Sequence, residues 1–474
     1  MLRETRERFS TARHSLGYYR CVAITARYYQ RDPSPDDLIA AIETALAKVI
    51  LRHPPLCCGI INEDKNDPAF VRLEFIDVLK CIDYRVLQFS TPEKYEKSLI
   101  EIIEHQHGQL WPDLHCRPGW KLIVVQDKKT RQGFDAVFAF HHAVADGLSG
   151  MVFHRSLIEA LNDSAAVNMD NHILQIPDSI KLLPPIEEMI HFKISWRYFL
   201  STIWDQLLRP KWLFPDPSPP WAAGICSPIN VQNYRSRVKL VSIPENHVNT
   251  ILGACREQKT TLTGLLHGLV VTSLASRVPD AASFTAVTPF STRSLSGISS
   301  TEEMAVQFGG HISKQTSDII SAVRASSDPA QITEQVWKIA KNYKVEMAAE
   351  TAKLPNDNLV GMIPYVSSIH SMYLSKMGKP RDNAYEVSNV GSLKNEDEEA
   401  QWRIGRVVFT QSGNATGAAS AFNVASVVGG PLTISATWLE GDVEEKLVSD
   451  VMEDVQYALR CIADSKEVSL GQSN

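Results

Sequence analysis

The sequence lacks most of the features that mark a nucleic-acid or membrane protein. It has no surplus of positive charge: 48 Lys and Arg face 54 Asp and Glu, for a formal net charge of -6 and a pI near 6.2. A protein so balanced offers no basic field to a phosphate backbone. No repeated Cys/His finger is present, which also argues against nucleic acid as a partner. No run approaches the ~18 consecutive apolar residues of a transmembrane helix. The first residues, Met1 to Arg8, are dense in charge and lead into no apolar stretch, unlike a secretory leader. The last four, Gly471 to Asn474, match no retention or peroxisomal tag. A cytoplasmic protein is the expectation.

Cysteine motifs are missing as well. The eight cysteines are Cys21, Cys57, Cys58, Cys81, Cys116, Cys226, Cys255 and Cys461, with no C-x-x-C spacing among them. Neighbours such as Cys57 and Cys58 rarely bridge each other, because the geometry is strained. Most of the others lie in apolar runs, where a thiol behaves as a small hydrophobe. A reducing compartment fits this usage. There is also no Gly-x-Ser-x-Gly elbow, since Gly147-Leu-Ser-Gly150 is one residue short, so a serine hydrolase is disfavoured.

What is present is an ordinary globular composition, 44% hydrophobic and 22% charged, in a chain long enough for two or three domains. Alternation over Tyr18–Tyr29 predicts a strand. Leu38, Ile42, Leu46 and Ile50 recur every four residues and predict a helix over Asp36–Ile50, introduced by Pro33-Ser34-Pro35. Strands are predicted near Leu56–Ile61, Phe70–Phe75, Trp120–Val125 and Phe134–Phe140, and helices over Glu93–His105 and Ser149–Leu161. Prolines then crowd residues 162–220, around an aromatic helix candidate, Ile186–Leu208. Few lysines mark its polar face, so a crossover segment packed on the protein is preferred to a membrane-surface helix. Beyond it come a strand at Arg235–Ile243, helices over Glu245–Gln258 and Leu262–Arg277, and a strand at Ser283–Pro289. A helix over Gln331–Glu350 and four strands (Tyr385–Val390, Arg406–Gln411, Ala421–Val427, Leu432–Trp438) follow, before a closing helix over Asp442–Ile462. Strands and helices mix without a strict βαβ repeat. The fold class is therefore α/β with mixed, α+β-like sheets, divided as 1–165, a proline-rich crossover 166–234, and 235–474.

One motif carries chemistry: His141-His142-Ala-Val-Ala-Asp146-Gly147, between the strand Phe134–Phe140 and the helix that starts near Ser149. Its chance occurrence in such a chain is on the order of 1 in 1000 at average composition. Strand ends are where rigid scaffolds present reactive groups. Successive side chains on a strand diverge, so one histidine can face a cleft while the other is held inside. A histidine whose unperturbed pKa is about 6.5 suits proton abstraction near neutrality. His142 is the candidate base and His141 the buried support. Asp146 is a supporting carboxylate, a helix N-cap, or both, and Gly147 permits close backbone approach. Divergent neighbours make a poor metal site of His141, His142 and Asp146, so no metal is expected.

With this motif the sequence resembles the fungal alcohol acetyltransferases. These belong to the superfamily of chloramphenicol acetyltransferase, the plant BAHD acyltransferases and peptide-synthetase condensation domains. Softer matches run through Leu46–Leu56, Thr288-Pro-Phe-Ser-Thr-Arg293 and Glu386-Val-Ser-Asn-Val-Gly391. The resemblance implies two chloramphenicol-acetyltransferase-like domains with a channel between them, and acetyl-CoA as a co-substrate with no permanently bound cofactor. It implies transfer of an acetyl group to the hydroxyl of a hydrophobic alcohol or secondary metabolite, with His142 as general base. It also implies that Arg293 pairs with Asp146, in what is expected to be a monomeric enzyme. The plant-type Asp-Phe-Gly-Trp-Gly motif is absent, which leaves Ser388, Asn389, Ser412 and Asn414 as candidates for oxyanion or substrate contacts. An N-acylating or condensation-type enzyme, with an amine acceptor or carrier-bound donor, is the alternative. A catalytically silent, ligand-binding homologue is the other.

Overall fold

The computed structural model describes residues 7–32, 38–89, 91–128, 133–204 and 218–469. The Pro33–Pro35 turn and residues 205–208 of the aromatic segment lie outside the described residues. Two mixed sheets organise the molecule. The first runs Trp402–Gln411, Val22–Gln30, Gly133–Phe140, Trp120–Asp127, Ile82–Leu87. Its pairings are antiparallel except the last, which is parallel. The second runs Phe308–Gln315, Phe284–Ser291, Tyr385–Leu393, Ser420–Val427, Leu432–Leu439, Ser236–Ile243. The strand Tyr385–Leu393 pairs parallel with both neighbours, and the other three pairings are antiparallel.

Each sheet has its own core. The helices Leu38–Arg52 and Gly147–Asn162 cover the first sheet, burying Ile42, Leu46, Ile50, Phe153 and Leu157. The helices Leu262–Arg277 and Glu445–Ala463 cover the second, with Leu265, Leu269, Val451, Val455 and Leu459 inside. In both cases the apolar residues return every three or four positions, so one face of each helix can be removed from water.

The strand Trp402–Gln411 does not stay with the late part of the chain. It pairs antiparallel with Val22–Gln30, with Val22 opposite Gln411 and Gln30 opposite Trp402. Side chains of the second sheet also hold it: the Thr433 hydroxyl donates to Val407 O at 2.6 Å and the Ser435 hydroxyl to Phe409 O at 2.5 Å. A late strand thus completes an early sheet and seams the halves together. The strand Phe308–Gln315 carries no apolar alternation strong enough to predict it, whereas Ile82–Leu87 does alternate over Ile82, Tyr84 and Val86 and yet is absent from the predicted strands.

The aromatic segment is corrected in two ways. It is not one helix but two short ones, Ile186–Met189 and Trp196–Ile203. Ser195 restarts the helix: its hydroxyl accepts from Tyr198 N–H, and Asp357 takes its own N–H at 2.7 Å. Nor is it packed down throughout. No residue of Trp196–Ile203 is buried, and Trp196 is 79% exposed although Phe199 stacks edge-on against Tyr365. Among the described residues, no helix is long and apolar enough to cross a membrane.

Candidate active site

The turn from His141 to Gly147 leaves the central strand Gly133–Phe140 and enters the helix Gly147–Asn162. His141 is 1% exposed. Its backbone N–H donates to Gly119 O at 2.7 Å, and its ring Nδ1 accepts from Ala143 N–H at 2.9 Å. The ring is thereby part of the turn. Its other nitrogen, Nε2, lies 3.0 Å from Glu63 Oε1.

His142 points the other way, as alternation requires. Its Nδ1 lies 3.0 Å from the carbonyl oxygen of Ala145. A carbonyl can only accept, so Nδ1 holds the proton and Nε2 keeps its lone pair. The ring sits between Phe308 of the second half (centroids 5.2 Å apart) and Tyr19 of the first (5.8 Å). Burial, and then the Arg13 guanidinium, lower the His142 pKa to about 4 against the opposing pull of Asp146. At neutral pH the imidazole is therefore uncharged, with one basic nitrogen, at the junction of the two halves.

Asp146 performs two jobs at once. It caps the helix, its Oδ1 accepting the Ser149 N–H and hydroxyl, each at 2.8 Å. It also takes donors from the second half: Arg293 Nη2 at 3.1 Å on Oδ1 and Gln307 N–H at 3.0 Å on Oδ2. Asp146 is 4% and Arg293 2% exposed. The same Nη2 also reaches Ser149 Oγ and Ala305 O, each at 3.0 Å. Among the described residues Arg293 Nε and Nη1 find no partner, so the pair is incompletely satisfied, and a buried pair of this kind adds little net stability. Gly147 is dictated by packing: a Cβ there would lie 2.6 Å from Val390 Cγ1.

Val390 thus meets the turn, and the pairing of Tyr385–Leu393 with Ser420–Val427 shifts register between Asn389 and Ser392. In the regular stretch before the shift Tyr385 and Asn389 meet the helix Leu262–Arg277, so Glu386 and Ser388 take the opposite face. Glu386 accepts from Gln411 Nε2 at 2.8 Å, and the Tyr19 hydroxyl donates to Gln411 Oε1 at 2.8 Å. Ser388 is buried on this face. The structure does not bring the other three candidates to it. Asn389 faces the helix Leu262–Arg277, donating to Thr263 Oγ1 at 3.2 Å and accepting from Gly391 N–H. The Ser412 hydroxyl accepts the backbone N–H groups of Arg20 and Cys21. Asn414 caps its own turn through Thr416 and Gly417 N–H. Their polar atoms are used in strand ends and turns.

Arg13, His14, Tyr19 and Glu63 were not foreseen. Arg13 is 8% exposed, and its guanidinium lies 4.5 Å from the centroid of the Tyr19 ring that flanks His142. These residues come from the start of the chain and from the turn after Cys58–Ile61, with no spacing that links them to the motif.

A neutral histidine thus stands at a two-sheet junction, with a capped turn behind it and the second half bonded across it. Solved structures share the fold. A trichothecene 15-O-acetyltransferase from Fusarium sporotrichioides superposes with a TM-score of 0.69 at 12% identity, over 96% of this chain and 93% of that one. The first condensation domain of the calcium-dependent antibiotic synthetase gives 0.61 at 14% identity, over 99% and 98%. The alcohol acetyltransferase family profile matches residues 5–455, and the chain belongs to that family. Its relatives include FCK4, a probable alcohol acetyltransferase of Fusarium pseudograminearum, 27% identical over 98% of this chain and 95% of that protein. Another is crmB, a probable alcohol acetyltransferase of Aspergillus fumigatus, 26% identical over 95% and 97%. The chain is a transferase, and acyl transfer is its general reaction.

Proposed function

We propose that this enzyme moves an acetyl group from acetyl-CoA to the hydroxyl of a hydrophobic acceptor by direct attack, with His142 as general base. One observation carries the reading: Nδ1 is committed to Ala145 O at 3.0 Å, so Nε2 is the free basic atom. The acceptor O–H gives its proton to Nε2 as its oxygen attacks the thioester carbonyl. The tetrahedral intermediate collapses, and Nε2 returns the proton to the departing thiolate. No acyl-enzyme and no metal are required, only positioning and a base, worth 10²–10⁴-fold by itself in typical cases. Ser388, alone of the four polar candidates on the face toward the first half, is the group we assign to the oxyanion or the substrate. Asp146 and Arg293 hold the turn across the two halves, and His141 and Gly147 shape it. The substrates approach His142 from opposite sides of the junction, and the compartment is the cytoplasm.

The test is a thiol-release assay with acetyl-CoA over a panel of apolar alcohols and amines, with product identified by mass. Ester formation that vanishes in His142→Ala supports the reading. Amide formation as the sole product points instead to an amine acceptor. No thiol release with any acceptor or acyl-CoA points to a silent homologue.

A further inference from the structure

Outside the reacting groups, the most heavily bonded ionisable cluster near the site is His14, Glu63 and His141. Glu63 Oε1 lies 2.5 Å from His14 Nδ1 and 3.0 Å from His141 Nε2. The three come from different elements: the end of the helix Glu7–Ser15, the turn after Cys58–Ile61, and the catalytic turn. Their ligand-type atoms lie within 4.8 Å of one another, as in a metal site.

Protons decide against a metal. His14 Nε2 accepts from Trp111 N–H at 3.1 Å, and His141 Nδ1 accepts from Ala143 N–H at 2.9 Å. Backbone amides cannot give up these protons, so the outward nitrogens are the bare ones. The nitrogens facing Glu63 therefore carry hydrogen and have no lone pair for a cation. A metal-bound imidazole needs the reverse, with a proton on the far nitrogen directed at an acceptor. Two N–H donors converging on one carboxylate oxygen make a charge-assisted clamp. Burial pushes the Glu63 carboxyl up, but the hydrogen bonds from His14 and His141 outweigh it and hold its pKa at about 2. Glu63 is thus an anion throughout the working range.

We propose that Glu63 is a positioning residue for the acyl transfer, clamping His14 and His141 so that the turn presents His142 and the N-terminal helix closes on it. The proposal rests on the reading of His142 as base. The adjacent Arg13 shows what the clamp delivers: it belongs to the same helix end as His14, and its guanidinium covers Tyr19 beside the His142 ring. Glu63 also lines an open concavity of about 450 Å³ with Asn62, Trp111, Asp113 and His115. The clamp is therefore reached by solvent through Glu63, whose side chain is 20% exposed.

Three measurements test this, and two of them, the tautomers and the zinc titration, are separate from the reaction. In the 15N-labelled protein, long-range nitrogen–proton correlation should show His14 protonated at Nδ1 and His141 at Nε2 at pH 7. The opposite tautomer at either ring overturns the clamp, whether or not a substrate is found. With a substrate in hand, Glu63→Leu should lower kcat by ~10–100-fold with KM within about three-fold, the size expected of a misplaced base. Glu63→Gln keeps an oxygen that accepts both N–H groups and should recover most of that loss. Equal kcat in wild type and Glu63→Leu, or no recovery in Glu63→Gln at matched thermal stability, refutes the role. Zinc chloride titrated into the wild type should show no stoichiometric binding that Glu63→Leu removes. If it does, the cluster is a metal site and the proposal fails.

Discussion

The two flanks of the turn from His141 to Gly147 are held by different means. On the His141 side everything comes from the first half of the chain: Gly119 O, Ala143 N–H, and the Glu63 oxygen shared with His14. On the Asp146 side the partners arrive from the second half, Arg293 and the Gln307 amide. The first flank fixes the shape of the turn. The second fixes where that turn sits relative to the opposite wall, which carries Phe308, Val390 and Ser388. A base between them needs both, because shape without docking leaves nothing to close the site, and docking without shape misaims the ring.

Replacing His142 itself leaves both flanks intact and should have the largest effect. His142→Ala should cost 10²–10⁴-fold in kcat/KM while the melting temperature and coenzyme A binding hold. Turnover within a few-fold of wild type would remove His142 from the mechanism.

The second flank breaks next. Asp146→Asn or Arg293→Met leaves one buried charge uncompensated and should cost roughly 3–5 kcal/mol of stability, with a fall in rate. A double-mutant cycle in urea measures the coupling. Strictly additive costs would mean that the 3.1 Å contact holds nothing together.

Acid should loosen the first flank and the cores behind it. Burial first of all lowers the pKa of His53, His141 and His154 to about 4 and of His107 and His267 to about 3. Below the unfolded value near 6.5, the unfolded chain takes up protons that these rings refuse. Stability then falls as pH drops from about 6.5 towards 4. The depressed Glu63 adds stability above the unfolded carboxyl value that is lost only as pH falls further, towards about 2. Urea midpoints at pH 7.5, 6 and 5 should decrease in that order, and a flat series would contradict it. Over the same range the proposed base is not lost, because His142 stays neutral until its pKa near 4 is approached.

The smallest expected effect is none. Chelation with EDTA should leave the rate unchanged, since the His14 and His141 nitrogens that face Glu63 are protonated and offer no lone pair to a metal. A loss restored by zinc would overturn both the metal-free reaction and the tautomers assigned to the clamp.

Much of this site was legible in the order of residues. The run His141 to Gly147 between a strand and a helix marks the two divergent histidines, the buried one and the capping carboxylate, because each placement follows from local geometry: alternation on a strand, and a free N–H at a helix start. The helices Leu262–Arg277 and Glu445–Ala463 were likewise readable from their apolar spacing. Other features have no local signature. Glu63 is 78 residues from His141, and charged turn residues are usually solvated, so nothing in its neighbourhood marks it as a clamp. The strand Trp402–Gln411 alternates as a strand should, but alternation does not name a partner, and its pairing with Val22–Gln30 follows from which edge the folded first sheet left open. Ser388, Asn389, Ser412 and Asn414 look alike as small polar residues near strand ends. The contacts of Tyr385 and Asn389 with the helix Leu262–Arg277, and of Glu386 with Gln411 of the first sheet, decide that Ser388 is turned towards the first half and Asn389 away. Chemistry carried by neighbours along the chain was determined by the sequence itself. Chemistry carried by neighbours across the two sheets waited for the tertiary structure, because packing, and not spacing, brings them together.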